Sequence, residues 1–240
     1  MESDSIQEPF LNYQKDEELG EEQQIKKTIR GGFISKVFGI VLFQLILTSM
    51  VVALGFMFPG LKNLMLTSNF LLYLNYLISL GCLIFPLFNP RIFREVPYNY
   101  ILLIIFTLSY SWLVAAFTCQ YSVRSVMIAL FLTTIVVGSL TVYAWYTSED
   151  FTALGGILFT GLVLLFFSWL ILMIFPIPFL RMLKFYFGLI LFCIYLVYDI
   201  QIVKGGGMYQ IGEDDYIIAA INIYLDIIMI FIHILSKSKK

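Results

Sequence analysis

Charge is what this sequence has least of. Only 13% of its 240 residues are Asp, Glu, Lys or Arg, against about a quarter in soluble globular domains. Hydrophobic residues make up 60%, aromatics 17%, and the mean hydropathy is +0.89. A water-soluble fold of this length has too little interior to hide that much apolar surface, so the solvent around most of the chain is lipid. Other absences narrow the field further. No basic stripe is present, which excludes a nucleic-acid-binding surface. Cys82, Cys119 and Cys193 all lie in apolar runs, which speaks against a disulfide framework. No Asn-x-Ser/Thr sequon occurs. No cleavable signal peptide precedes the first apolar run, so that run is expected to target the chain and stay in it. Internal repeats are not visible, which leaves an inverted-repeat transporter without support.

What is present is a series of apolar segments near the roughly 20 residues that cross about 30 Å of hydrocarbon. They fall at 33–58, 66–88, 99–118, 123–145, 153–175, 180–203 and 216–235. Turn residues separate them: Pro59-Gly60, Asn89-Pro90-Arg91, Ser148-Glu149-Asp150, Pro176 with Pro178, and Gly205-Gly206-Gly207. The expected architecture is an all-α integral membrane domain of seven transmembrane helices over 31–240. It is preceded by an acidic tail over 1–30, where eight of the sixteen acids fall and apolar periodicity is weak. That tail is expected to be cytosolic and disordered. Lys26, Lys27, Arg30 and Lys36 precede the first span and only Lys62 follows it, which puts the N-terminus in the cytosol. Seven spans then place Lys237, Lys239 and Lys240 on the far side, against the positive-inside rule. A re-entrant last segment is the alternative.

The chemistry concentrates in two residues. Of the sixteen acids, only Asp199 and Asp226 sit inside apolar runs, in CIYLVYDIQIVKGGG and INIYLDIIMIFIHIL. A carboxylate at the centre of a membrane helix costs about 2.5–3.5 kcal/mol on insertion scales. The two acids lie on sequential helices joined by a Gly-rich link, so the helices are expected to be antiparallel neighbours. Facing carboxylates in a low dielectric cannot both ionise cheaply, and sharing one proton makes them a coupled unit. Deprotonated, they are hard oxygen ligands for Ca²⁺. Asp199 lies nearer its helix end than Asp226 does, and the depths match only if the last helix protrudes by a turn or two. Glu213, Asp214 and Asp215 would then form its exposed start, where acids suit the helix dipole. Asn222 and His233 stand four and seven residues from Asp226, on its helix face, and are secondary polar candidates. Arg91 and Arg94 are candidate counter-ions for the pair. The plainer readings are a structural hydrogen bond for the acids, packing for His233, snorkelling anchors for the arginines and a flexible turn for the glycines.

The segments VYDIQ (197–201), AAINIYLDIIMIFIHIL (219–235), LTVYAWYTSEDFTALGGILF (140–159) and FISKVFGIVLFQLILT (33–48) resemble the transmembrane Bax inhibitor motif family, closest to its lifeguard and Golgi anti-apoptotic branch. The resemblance covers nearly all the chain after the tail. It implies a seven-helix fold with the last helix central and surrounded by the other six. It also implies a Ca²⁺ leak pathway in internal membranes that restrains cell death and is gated by a buried aspartate pair, here Asp199 and Asp226. An arginine at the end of the second helix caps that pair in the closed form; Arg91 is the better match, Arg94 the second. Departures occur at Met229, where many relatives have Asn, at Arg181 and Lys184, where some carry acids, and at Ser236, which replaces a basic residue.

Three functions compete. The first is a pH-sensitive Ca²⁺-permeable leak channel of the Golgi or endoplasmic reticulum, needing no cofactor and working with the bilayer, Ca²⁺, H⁺ and membrane partners in cell-death or Ca²⁺ signalling. The second is a non-conducting membrane adaptor that modulates partner channels or cell-death regulators. The third is an intramembrane aspartyl protease. Tyr198-Asp199 suits a protease, but Asp226 follows Tyr-Leu rather than Gly-x-Gly and no Pro-Ala-Leu motif occurs. The chain is therefore not expected to be an enzyme.

Overall fold

The computed structural model describes residues 4–238. It consists of eight α-helices: α1 (Asp4–Met57), α2 (Pro59–Thr67), α3 (Asn69–Phe88), α4 (Tyr98–Thr118), α5 (Val123–Tyr146), α6 (Gly155–Ile174), α7 (Pro178–Lys204) and α8 (Tyr216–Ser236). Among the described residues there is no strand. Seven helices, all but the short α2, are long and apolar enough to cross a membrane.

Local sequence accounts for the breaks. Pro59 and Pro178 open α2 and α7, where the missing N–H of proline costs nothing. Ser68 and Ser122 cap α3 and α5 by accepting from the amides of Leu71 and Ser125. Gly205 ends α7 with φ +76°, a left-handed conformation that glycine adopts without penalty. The seventh apolar segment is one continuous helix of 21 residues, about 31 Å long at 1.5 Å per residue, which is enough to span rather than re-enter.

Two details depart from the expected layout. The acidic segment is helical from Asp4 onward and continues into the first span as α1. Its Glu, Gln and Lys residues are good helix formers, and Lys26 pairs with Glu22 one turn earlier at 3.4 Å. The other departure is the 3₁₀ turn at Pro90–Phe93 that separates α3 from α4.

α8 is the most buried of the spans. Against it pack α1, α4, α5 and α7, while α3 rests on α4 and α6 on α7. The core is the apolar surface of α8 (Ile217, Ile221, Ile223, Ile230, Leu235) with Val37 and Val41 of α1, Phe106 of α4 and Leu196 and Ile200 of α7.

Contacts between loops fix the two ends of the bundle. At one end, Arg30 reaches the α7–α8 loop, Arg94 reaches Asp215, and Asp150 reaches Met208. At the other, Gly55 abuts Cys119, and the Lys237 ammonium sits 4.4 Å over the Phe185 ring.

Candidate functional site

Asp199 is five residues from the end of α7 and Asp226 ten residues into α8. Their carboxyl groups are in hydrogen-bond contact with one another, and the two residues are 8% and 5% exposed. A carboxyl–carboxyl hydrogen bond requires a proton on at least one partner, so the pair in this contact is not doubly ionised. Oδ2 of Asp226 is buried and has no hydrogen-bond partner. The depth mismatch closes as expected: Glu213–Asp215 form a 3₁₀ turn that carries the start of α8 past the end of α7.

A pocket of about 250 Å³ reaches Asp199 from the loop side. It is lined by Tyr198, Asp199, Asn222 and loop residues Tyr209, Gln210 and Ile211. Asn222 therefore belongs to this site. His233 does not: its Nδ1 bonds the Met229 carbonyl at 2.7 Å, and its ring lies between Phe185 and Phe192, with centroids 5.7 Å from each. It is two turns beyond Asp226 and packs against α7.

The candidate counter-ions are placed elsewhere. Arg91 lies in the 3₁₀ turn, which points its side chain outward; it is exposed and forms no ion pair among the described residues. Arg94 makes a two-pronged bond to Asp215, at 2.7 Å from Nε and 2.9 Å from Nη2. It ties the α3–α4 connection to the start of α8 rather than to the aspartate pair. Arg94 is largely exposed, so the bond adds geometry more than stability. Asp215 raises the Arg94 pKa through this hydrogen bond.

The arginine that controls the mouth is Arg30 of α1. It donates to the carbonyls of Ile202, Lys204 (3.4 Å) and Ile211 (2.9 Å). It thereby satisfies orphan carbonyls at the end of α7 and holds the loop wall of the pocket. A Cβ at Gly205 would come within 3.0 Å of the Arg30 Nε. On the far side of α7 the loop is locked a second time. Asp150 accepts from the Thr152 amide (2.9 Å), the Thr152 hydroxyl (2.6 Å) and the Met208 amide (2.7 Å). Gln201 bridges the Glu149 carbonyl and the Phe151 amide.

A polar layer missed by the sequence reading lies on the opposite face of α8. The Gln44 amide donates to Thr107 (3.0 Å), and the Thr48 hydroxyl contacts Ser111 (2.9 Å) and the Tyr224 hydroxyl (2.8 Å). It ties α1, α4 and α8 together two residues from Asp226. Scattered hydroxyls in apolar runs form no motif, so the only signal was their four-residue spacing.

No group of three or more His, Cys, Asp or Glu able to hold a metal occurs among the described residues. Two carboxylates and Asn222 fall short of the six to eight oxygens that Ca²⁺ takes.

Fold and site together define an integral membrane protein built around a buried carboxyl pair on its last two helices. The family model "Inhibitor of apoptosis-promoting Bax1" matches residues 30–237. The chain is 36% identical over 208 residues to mouse protein lifeguard 4 (87% of this chain, 84% of the relative). It is 37% identical over 212 residues to a BI1-like protein of Arabidopsis thaliana (86% and 80%). It is 34% identical over 208 residues to the Golgi anti-apoptotic protein of vaccinia virus, strain Lister (87% and 85%). The chain belongs to the Bax inhibitor-1 family.

Proposed function

We infer that the protein is an anti-apoptotic member of this family in the Golgi or another endomembrane, and that it acts as a proton-responsive Ca²⁺ leak pathway. In this reading Asp199 and Asp226 are the gate. Sharing a proton, they carry one charge and hold α7 to α8. A change in protonation alters both that hold and the attraction for a divalent cation. The observation that carries the reading is the contact between two buried carboxyls, one of which, Asp199, lines a pocket beside the α7–α8 loop. The names of the relatives support the anti-apoptotic part. No cofactor and no catalytic step are invoked.

The test is Ca²⁺ flux through liposomes containing only the full-length protein, measured between about pH 5 and 8. Flux above that of empty liposomes is expected, with a changed pH profile in Asp199→Asn and Asp226→Asn. Absence of flux at every pH overturns the channel reading and favours the non-conducting adaptor.

A further inference from the structure

A second cavity, of about 660 Å³, lies between α1 and α5 and is floored by Ile227, Ile228 and Phe231 of α8. Its size falls within the roughly 300–1,000 Å³ typical of ligand sites. It lies on a different face of α8 from the carboxyl contact: Asp226 faces α7, whereas this cavity lies where α1 and α5 both pack on α8. Its rim residues Met57, Met127 and Leu130 are exposed, and each belongs to a helix that crosses the membrane. The cavity therefore opens sideways into hydrocarbon, which leaves a lipid tail as the natural occupant.

Charge at the mouth narrows the occupant further. The upper lining includes Phe56 and Val123. The Lys62 ammonium sits 5.4 Å over the Phe56 ring. Arg124 is adjacent to Val123 and one turn before Met127, at the start of α5, and its side chain is exposed. Neither cation has a carboxylate to meet. The loops at this end are 58–68, 119–122 and 175–177, with the chain end after Ser236, and among the described residues they contain no Asp or Glu. Among the described residues, their cations and those of the adjoining helix ends are Lys62, Arg124, Arg181, Lys184 and Lys237. Among the described residues, every acid outside the carboxyl pair falls at the other end of the bundle.

We propose that this cavity is a binding site for an anionic phospholipid, with one acyl chain in the α1–α5 cleft and the phosphate held by Lys62 and Arg124. A basic pair beside an intramembrane groove is the pattern that selects acidic headgroups. The chain enters from the side, and the headgroup stays at the membrane surface, where the two side chains reach it. The site is independent of the proposed channel activity.

The test is photocrosslinking of the purified full-length protein in phosphatidylcholine liposomes. These contain a trace of either phosphatidic acid or phosphatidylcholine with the same diazirine-bearing acyl chain. Crosslinks on the cavity-facing residues of α5 and α8 are expected, with the acidic probe favoured about thirtyfold, from about 1 kcal/mol for each of two cations. Lys62→Gln with Arg124→Gln should bring the acidic probe down to the level of the neutral one. Gly138 lines the cavity, and a Cβ there meets nothing within 4 Å. Gly138→Leu should therefore fill the cleft and suppress both probes without disturbing the fold, which gel filtration and circular dichroism check. Equal labelling by the two probes overturns headgroup selection. Labelling spread evenly over the lipid-facing sides of α3 and α6 overturns the site.

Discussion

Gly188 of α7 and His233 of α8 touch so closely that a Cβ at position 188 would stand 2.6 Å from His233 Nε2. The imidazole cannot easily swing away, because Nδ1 is bound to the Met229 carbonyl and aromatic rings lie on both sides. The glycine thus sets the spacing of the two helices that carry Asp199 and Asp226. His233 is a packing partner and not part of the pocket.

Gly188→Ala should therefore destabilise the protein by about 1–3 kcal/mol, the usual cost of overpacking. Thermal unfolding in detergent measures it. The double change Gly188→Ala with His233→Ala should recover part of the loss, since the two residues are in direct contact. Full additivity of the two single effects would show that the contact has no energetic weight.

Arg30 and Arg91 should behave differently. Arg30 holds three carbonyls around the pocket mouth, and Arg91 is exposed without an ion pair. Arg30→Ala should leave residues 205–212 open to faster amide exchange and proteolytic cleavage, while Arg91→Ala leaves both at wild-type rates. Arg30→Lys should rescue little, because one ammonium lacks the planar fork that spans several acceptors. Protection unchanged in Arg30→Ala would remove this residue from control of the mouth.

The contrast between these arginines marks where the sequence was legible and where it was not. Apolar runs of spanning length are a composition signal, so seven spans could be read directly, while the positive-inside rule left a re-entrant last segment open until α8 proved to be one continuous helix. Asp199 and Asp226 stood out because a carboxyl in such a run is expensive, and two on neighbouring helices have a natural partner in each other. A counter-ion has no comparable signal. Arg91 was favoured for its place after the second span, but the 3₁₀ turn at Pro90–Phe93 rotates it outward. Arg30 lies more than 170 residues from the carbonyls it holds. Only the packing of α1 beside α7 and α8 brings them together. The Thr48–Ser111–Tyr224 contacts were hidden for the same reason, since each hydroxyl looks ordinary in its own helix.

Asp150 gives the loop a dependence on acid. Hydrogen bonds from the Thr152 hydroxyl and the Met208 amide hold its pKa below the ordinary 3.8. A depressed carboxyl contributes stability that is fully present above its unfolded value and is lost as pH falls through the folded one. The thermal midpoint of the wild type should therefore exceed that of Asp150→Asn by a constant margin above about pH 5, and the margin should shrink at lower pH. The group is at the surface, so the margin is small. A margin that grew on acidification would contradict the assigned hydrogen bonds.

Asp199→Asn offers the sharpest test of the carboxyl pair. The contact between the two side chains needs one proton, and the asparagine amide donates a similar bond to Asp226 without a proton to lose. The variant should thus fold with α7 and α8 held as in the singly protonated pair, and its Ca²⁺ flux should vary little between about pH 5 and 8. Asp226→Asn places the amide at the carboxyl whose Oδ2 is buried without a partner. Its –NH₂ either donates to Asp199 or is left partly unsatisfied, and an unmet buried donor costs about 1–3 kcal/mol. Asp226→Asn should therefore be the less stable of the two by thermal unfolding, while both flatten the pH profile. A wild-type pH profile retained in both variants would place the proton sensor elsewhere in the molecule.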